Sequence, residues 1–398
     1  MQLRRLLLEE FRLYHHLELE LGPAGLALHG ANASGKSTLL EAIAMLATTR
    51  SARSGGEREV INWRSGQELG FPPFARVRGH VERLDDEVDI EIALQLDAGG
   101  SGQLQKAIRL NGRNVRAMDA VGSLKTVLFA PEDVALVSGS PSGRRRYLDL
   151  MISQVDGRYL RALSRYNRIL EQRNSLLKSL GREGVSANSP TAAAQLAFWD
   201  EELVAFGSRL VARRMLSIRS LAAHAAERFA TFGDERVLAV EFRPSIDDPS
   251  CRATAESGDP DSTQAVIARA FSEQLQELRR DEMRRGVSLV GPHRDDFSIA
   301  IDGMDVGTFG SRGQQRLAVV ALKLAETDVM MEESGERPVI LLDDVLSELD
   351  PRRRDDLTQA VVALDAQVVV TATDVETIDR SPLSALPRAE VTQGAIRT

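Results

Sequence analysis

The 398-residue chain contains one cysteine, Cys251. A lone thiol excludes an internal disulfide, and that absence fits a reducing, cytoplasmic setting. Cys251 lies in a polar, loop-like stretch with no partner for metal binding, and no zinc-finger, helix-turn-helix or RRM signature is present. Long apolar runs are also missing. Leu6-Leu7-Leu8 lies between Arg4-Arg5 and Glu9-Glu10, too short an apolar run for a signal peptide. No uncharged stretch approaches the roughly 20 residues of a membrane span, so no membrane partner is expected. An excess of positive charge is absent too: 50 Lys and Arg face 58 Asp and Glu, for a net charge of −8. A nucleic-acid ligand must therefore meet a local basic surface rather than a globally basic protein. There is no internal repeat and no low-complexity tract. What remains is an ordinary globular composition, 43% hydrophobic, in a chain long enough for one large or two medium domains.

Against this background residues 30–37, Gly-Ala-Asn-Ala-Ser-Gly-Lys-Ser, stand out. They match the phosphate-loop pattern GxxxxGK[ST]. Gly30 and Gly35 let the backbone turn its N–H groups onto phosphates. Lys36 supplies a cation for the β/γ-phosphates and Ser37 a hydroxyl for Mg²⁺. The context agrees with the motif. Gly25–His29 reads as a short buried strand, and Thr38–Ala47 as a helix whose N-terminus faces the anion.

Residues 1–135 are strand-rich. Val88–Leu96 alternates with period two, and Asn111-Gly112 marks a hairpin. Ser140-Pro141 is a helix start. Apolar residues then recur at three-to-four-residue steps from Leu148 to Leu180, with one longer gap. Further helical stretches are expected from about 191 to 229 and 262 to 285, with Tyr159, Tyr166 and Trp199 as core. Residues 245–262 read as a mobile loop. Strand character returns with Phe297–Ile301, followed by a second hairpin signal, Asp302-Gly303. Pro338–Leu342 and Gln367–Thr371 are uninterrupted runs suited to central strands.

Pro338–Leu342 ends in Asp343-Asp344, the apolar strand with terminal acids that accompanies a phosphate loop. Asp343 can hold Mg²⁺, and Asp344 can orient or deprotonate an attacking water. Upstream, Gly310-Ser311-Arg312-Gly313-Gln314 leads into a helix whose first N–H groups suit phosphate. Downstream comes Ser347-Glu348-Leu349-Asp350. Together these form the ABC-ATPase set. The fold expected is therefore α/β: an ABC-type ATPase lobe with mixed sheet over 1–138 and 288–398, and an inserted lobe of short antiparallel helices over 139–287.

The chain resembles the RecF family, bacterial recombination mediators whose heads are like those of SMC and Rad50 proteins. Glu10–Tyr14, Phe129–Asp133, Gly139–Asp149, Arg173-Asn174, Gly291–Asp296 and Leu341–Asp350 carry the resemblance across nearly the whole length. It implies ATP and Mg²⁺ as cofactors. It also implies an ATP-dependent homodimer, binding to double-stranded DNA and single/double-strand junctions, and work with RecR and RecO to load RecA. By matching position, Gly30, Arg12, Asn32, Gly35, Lys36, Ser37 and Thr38 would bind nucleotide, while Ser311, Gly313 and Gln314 would cap the partner's. Lys36, Asp343 and Asp344 would be catalytic, and Ser37 with Asp343 would hold the metal. Asp344 stands where most ABC ATPases have glutamate, and a shorter acid implies slow turnover. No histidine follows the last strand, where Thr371-Ala372-Thr373-Asp374 stands.

Arginine clusters can be solvated faces or phosphate contacts. Arg144-Arg145-Arg146, Arg50 and Arg53, Arg279-Arg280 with Arg284-Arg285, and Arg352–Arg354 are the candidates for non-specific DNA binding. His293 and Arg294 read either as turn-holders or as a site near nucleotide, dimer face or DNA. An SMC-like chromosome-structuring head is the alternative reading, but it needs long heptad arms that these helices do not provide. An ABC transporter subunit leaves the helical lobe unexplained, and a P-loop GTPase or kinase leaves the signature unexplained.

Overall fold

A computed structural model describes residues 1–51, 56–66, 72–97, 102–233, 236–246, 248–251 and 260–397. The strands in chain order are β1 Gln2–Phe11, β2 Tyr14–Glu20, β3 Gly25–His29, β4 Phe74–Glu82, β5 Glu87–Leu96, β6 Leu104–Leu110, β7 Arg113–Val115 and β8 Thr126–Phe129. They continue with β9 Leu238–Arg243, β10 Asp296–Ile301, β11 Met304–Asp305, β12 Val339–Asp343, β13 Val368–Ala372, β14 Arg388–Thr392 and β15 Ala395–Arg397. The longer helices are α1 Lys36–Thr48, α2 Pro141–Val155, α3 Gly157–Arg182, α4 Pro190–Thr231, α5 Pro260–Arg285, α6 Arg312–Ser334 and α7 Pro351–Ala363.

The chain divides into two compact units. The first comprises Met1–Val134, Glu227–Glu235 and Val319–Thr398. It holds two six-stranded sheets. One is antiparallel, in the order β2-β1-β4-β5-β6-β7. The alternation in β5 buries Val88, Ile90, Ile92 and Leu94 on one face. The other sheet runs β15-β14-β3-β13-β12-β8 and is parallel except at its β14–β15 edge. Every residue of β12 and β13 is buried, which is why both read as uninterrupted apolar runs. Helix α1 packs against both sheets. Its Leu39, Ile43 and Leu46 share a core with Leu6 and Val77 of the first sheet and with Leu341 and Val369 of the second. Gly79 on β4 has no Cβ because Leu46 would meet it at 2.6 Å.

The second unit comprises Ala135–Ala226 and Arg236–Ala318. It contains α2, α3 and a three-stranded sheet in the order β11-β10-β9. The expected limits placed residues 288–318 with the ATPase lobe, whereas they cluster with the helical unit. The cause is pairing. β10 hydrogen-bonds along β9 from Asp296–Arg243 to Ile301–Leu238, and Arg144 and Arg214 hold Asp296 and Asp295. Residues 227–235 likewise leave the helical lobe for the first unit, where Arg228 pairs with Asp328 at 2.5 Å.

Several local readings change. The apolar stripe from Leu148 to Leu180 is two helices, because the Asp156 carboxylate accepts from Arg158 and Tyr159 N–H and starts α3 afresh. α4 extends over 42 residues, about 60 Å. Tyr159 and Tyr166 are core, but Trp199 is only partly buried, edge-on to exposed Phe198. Within the stretch read as a loop, Ser245 is hydrogen-bonded to Asp295 and Gly291, and Ile246 and Cys251 are buried. Residues 252–259 of that stretch lie outside the described residues. Both hairpin signals hold as paired left-handed residues, with φ of 48° and 76° at Asn111-Gly112 and 50° and 78° at Asp302-Gly303.

Candidate nucleotide-binding site

β3 delivers the chain into the loop at Gly30, and α1 begins at Lys36. Gly30 (φ 148°) and Gly35 (φ 116°) are held in backbone conformations that side chains rarely adopt. Each is also crowded. A Cβ on Gly30 would lie 2.3 Å from the Val391 carbonyl oxygen, and one on Gly35 would lie 3.0 Å from the Tyr14 hydroxyl. Tyr14 is fully buried, donates to the Gly35 carbonyl at 3.1 Å, and has its pKa pushed up to about 12 by burial. It supports the loop, a role that the sequence did not assign to the Glu10–Tyr14 stretch.

The Lys36 ammonium is buried and donates to the carbonyls of Gly30 (2.6 Å) and Ala31 (2.8 Å). Burial lowers its pKa, opposed by the charges of Asp344 and Asp343. The lysine is thus curled over its own loop and near both acids. Ser37 Oγ donates to Asp343 Oδ1 at 2.7 Å. Thr371 Oγ1 donates to the same oxygen at 3.0 Å and accepts from Asp344 N–H at 2.9 Å. β12 and β13 pair Asp343 with Thr371 in register, so the two acids and the threonine meet at the carboxyl ends of adjacent strands. Asp344 has a left-handed backbone, φ 51°. Asn32 is exposed and accepts from Thr373 Oγ1 at 3.2 Å. Thr38 follows in the first turn of α1, partly buried.

Two buried oxygens of these segments have no hydrogen-bond partner, Ser34 Oγ in the loop and Asp344 Oδ1 just after β12. Buried polar atoms are normally paired, so these two fit a ligand rich in acceptors, with solvent or metal between. One carboxylate, one hydroxyl and phosphate oxygens suit Mg²⁺, which keeps most of its waters. Among the described residues no cluster of three or more His, Cys, Asp or Glu could hold a metal alone.

Arg12, expected on nucleotide, is paired with a carboxylate of α1. Its guanidinium forms a two-pronged pair with buried Glu41 at 2.7 and 2.8 Å. The pair ties Arg12 to α1. Ser347 Oγ donates to the Asp344 carbonyl at 2.8 Å, and Asp350 caps α7 by accepting from Arg353 N–H at 3.1 Å.

The signature lies in the second unit. Ser311 N–H donates to Gln314 Oε1 at 2.7 Å, and Gln314 N–H donates to Ser311 Oγ at 3.3 Å. This reciprocal capping box fixes the start of α6. Ser311 and Gly313 are exposed, and exposed Phe309 precedes them.

The arginine clusters divide. Arg144 pairs with Asp296 at 2.7 and 2.9 Å, and Arg145 donates to the Asp295 carbonyl at 2.7 Å, so both are tied inside the second unit. Arg146 and Arg50 are exposed. Arg53 lies outside the described residues. Arg353 and Arg354 are spent on the carbonyls of Phe232, Leu346 and Leu349.

His293 is a turn-holder. Its Nε2 donates to the Ser288 carbonyl at 3.1 Å, so Nδ1 accepts from the Tyr166 hydroxyl at 2.7 Å. Burial lowers its pKa to about 4, which keeps the ring neutral. Arg294 donates to the same Ser288 carbonyl at 3.1 Å. Beneath this turn are two buried arginines. Arg214 binds Asp149, Asp295 and the Pro292 carbonyl, at 2.7, 3.0 and 2.6 Å. Arg173 binds Asp200, Glu282 and Ser288 Oγ, each at 2.7 Å.

Among the described residues, no helix is long and apolar enough to cross a membrane. The family model for the RecF/RecN/SMC N terminal domain matches residues 2–395. The DNA replication and repair protein RecF of Thermomicrobium roseum is 44% identical over 398 residues, covering all of this chain and 99% of that one. The protein of the same name from Bacillus pumilus is 35% identical over the full length of both. A solved structure of the recombination mediator protein RecF-ATPrS in the RecFOR pathway has a TM-score of 0.83 and 30% identity, covering 99% of this chain and 97% of that one. A solved Smc head bound to the C-winged helix domain of ScpA has a TM-score of 0.52 at 15% identity, with 100% and 96% covered, a likeness of fold alone. With loop, acidic strand and signature all placed on that fold, the chain belongs to the RecF family.

Proposed function

We propose that this protein is an ATP-dependent DNA-binding factor of recombinational repair in the cytoplasm, acting on nucleoid DNA. It binds ATP with Mg²⁺, dimerises around the nucleotide, and binds double-stranded DNA at gaps and single/double-strand junctions. With RecR and RecO it promotes loading of RecA. The observation that carries the reading is the 2.7 Å contact of Ser37 with Asp343, which joins the phosphate loop to the acidic strand.

The roles follow from the chemistry. Lys36 exchanges the Gly30 and Ala31 carbonyls for phosphate oxygens. Ser37 and Asp343 would hold Mg²⁺, whose chemistry there would be to neutralise phosphate charge. Thr371 keeps the Asp343 carboxylate aimed. Asp344 orients the attacking water. Its reach is one methylene short of glutamate, so hydrolysis is slow and the nucleotide acts as a switch. Ser311, Gly313 and Gln314 of one copy cap the nucleotide of the other, using N–H groups at the start of α6.

The test is the size of the full-length protein by analytical ultracentrifugation, with and without Mg·ATP and gapped duplex. A dimer that requires ATP is expected, and Ser311→Arg is expected to remain monomeric while still binding ATP. A Ser311→Arg protein that dimerises with ATP would defeat the trans-capping scheme.

A further inference from the structure

Helices α3 and α5 end side by side in the second unit. Gly181 makes this close approach possible, since a Cβ there would lie 2.7 Å from the Met283 carbonyl oxygen. A cavity of about 600 Å³ opens at these ends. Five cations line it, namely Lys178, Arg182, Arg280, Arg284 and Arg285, and no carboxylate does. Arg284 pairs with Asp281 at 2.8 Å. The other four are exposed and have no ion pair among the described residues. Gly184 and Gly286, with φ of 69° and 68°, turn the chain away at the rim, and Lys178 lies across Gly286.

Cations at helix C-termini offset the helix dipole, and that accounts for Arg182 and Arg285. It does not account for five cations in one cavity without an acid, in a chain with eight more acidic than basic residues. Their mutual repulsion costs stability unless an anion joins them. Three of the four unpaired cations are arginines, whose planar forks match phosphate oxygens. Val185, Ala187 and Met283 supply its apolar lining side chains.

We infer that this cavity binds the phosphodiester backbone of DNA, as a contact site separate from the nucleotide pocket. The inference rests on the DNA-binding reading above. It uses charge and shape alone, so it contributes affinity without base preference.

The experiment uses the full-length protein and measures binding to duplex and to gapped duplex across a salt series. The variant is Lys178→Gln with Arg182→Gln, Arg280→Gln and Arg285→Gln. Each lost phosphate contact lowers the slope of log K against log salt by about 0.9. A slope lower by about 3.6 and an affinity at least tenfold weaker near physiological salt are expected, with ATP binding unchanged. A companion variant, Arg182→Lys with Arg280→Lys and Arg285→Lys, keeps the charge and is expected to keep the slope. If the glutamine variant binds DNA with the wild-type slope, the pocket is not a DNA contact. If poly-glutamate binds the wild type at this cavity and the glutamine variant loses only that, the site takes an acidic protein and the inference is wrong. If the wild type binds no DNA at all, the reading of function falls with it.

Discussion

Ser37 Oγ and Asp343 Oδ1 are 2.7 Å apart although 306 positions separate them in the chain. The contact exists because β3, which feeds the phosphate loop, pairs with β13, and β13 pairs with β12. The hydroxyl and carboxylate proposed to hold Mg²⁺ are therefore brought together by strand order. Such preorganisation lowers the cost of assembling the site.

Thr371 is the residue on which that geometry turns. It donates to Asp343 and accepts from Asp344 N–H, so one side chain aims both acids. Thr371→Val keeps the shape and removes both bonds. Steady-state ATP turnover is expected to fall about tenfold, as for other residues that orient a metal ligand, with nucleotide affinity changed less. Thr371→Ser is expected to restore most of the rate. Equal turnover in the Val and wild-type proteins would show that the hydroxyl does not position the acids.

Asp344 has an unpartnered buried oxygen and a left-handed backbone. Asparagine tolerates that backbone better than most residues, so Asp344→Asn is expected to fold and to dimerise with ATP. Its turnover is expected to fall by about a hundredfold, the usual scale for removing a positioned base. Asp344→Glu extends the reach and is expected to raise turnover. A Glu variant slower than wild type, with ATP affinity intact, would show that reach does not limit the rate.

His293 makes a pH prediction. Its pKa is lowered from 6.5 to about 4, chiefly by burial, so the unfolded chain binds the proton first as the solution is acidified. Stability is fully present above about pH 6.5 and is lost as pH falls toward about 4, by up to about 3 kcal/mol. His293→Gln can still donate to Ser288 and accept from Tyr166 but does not titrate. Urea denaturation of both proteins between neutral and acid pH is the measurement. The two stability curves are expected to converge as pH falls, and parallel curves would mean that His293 titrates normally in the folded protein.

What the sequence revealed was local chemistry. The phosphate loop, the Asn-Gly and Asp-Gly turns and the buried runs of β12 and β13 depend on residues close in the chain, and all were legible. What it hid depends on partners far away. Arg144 and Arg145 read as part of a basic patch because Asp295 and Asp296, which hold them, lie about 150 positions on. The pairing of Arg12 with Glu41 was hidden because Glu41 lies on another element. Tyr14 and Thr371 lie in stretches the sequence marks, but their contacts come from residues distant in the chain. Asp156 was missed for the opposite reason, since a three-to-four-residue apolar stripe runs across it without a break.

Arg173 neutralises a buried acid in the second unit. It is fully buried and binds Asp200, Glu282 and Ser288 Oγ. Glu282 is equally buried, and its other oxygen accepts from Leu289 N–H at 2.8 Å. Arg173→Met leaves the Glu282 charge without its cation, a loss of about 3–5 kcal/mol. Asp200 suffers less, because it is partly exposed and Arg279 is 3.5 Å away. Glu282→Gln removes the stranded charge while keeping the acceptor for Leu289. The double variant, Arg173→Met with Glu282→Gln, is therefore expected to be more stable than Arg173→Met alone, although each single change destabilises. Chemical denaturation of the four proteins in the cycle measures the coupling. A loss under about 1 kcal/mol for Arg173→Met, the scale of an ordinary surface change, would mean that the pair is hydrated and that the interior of the helical unit is wetter than its packing indicates.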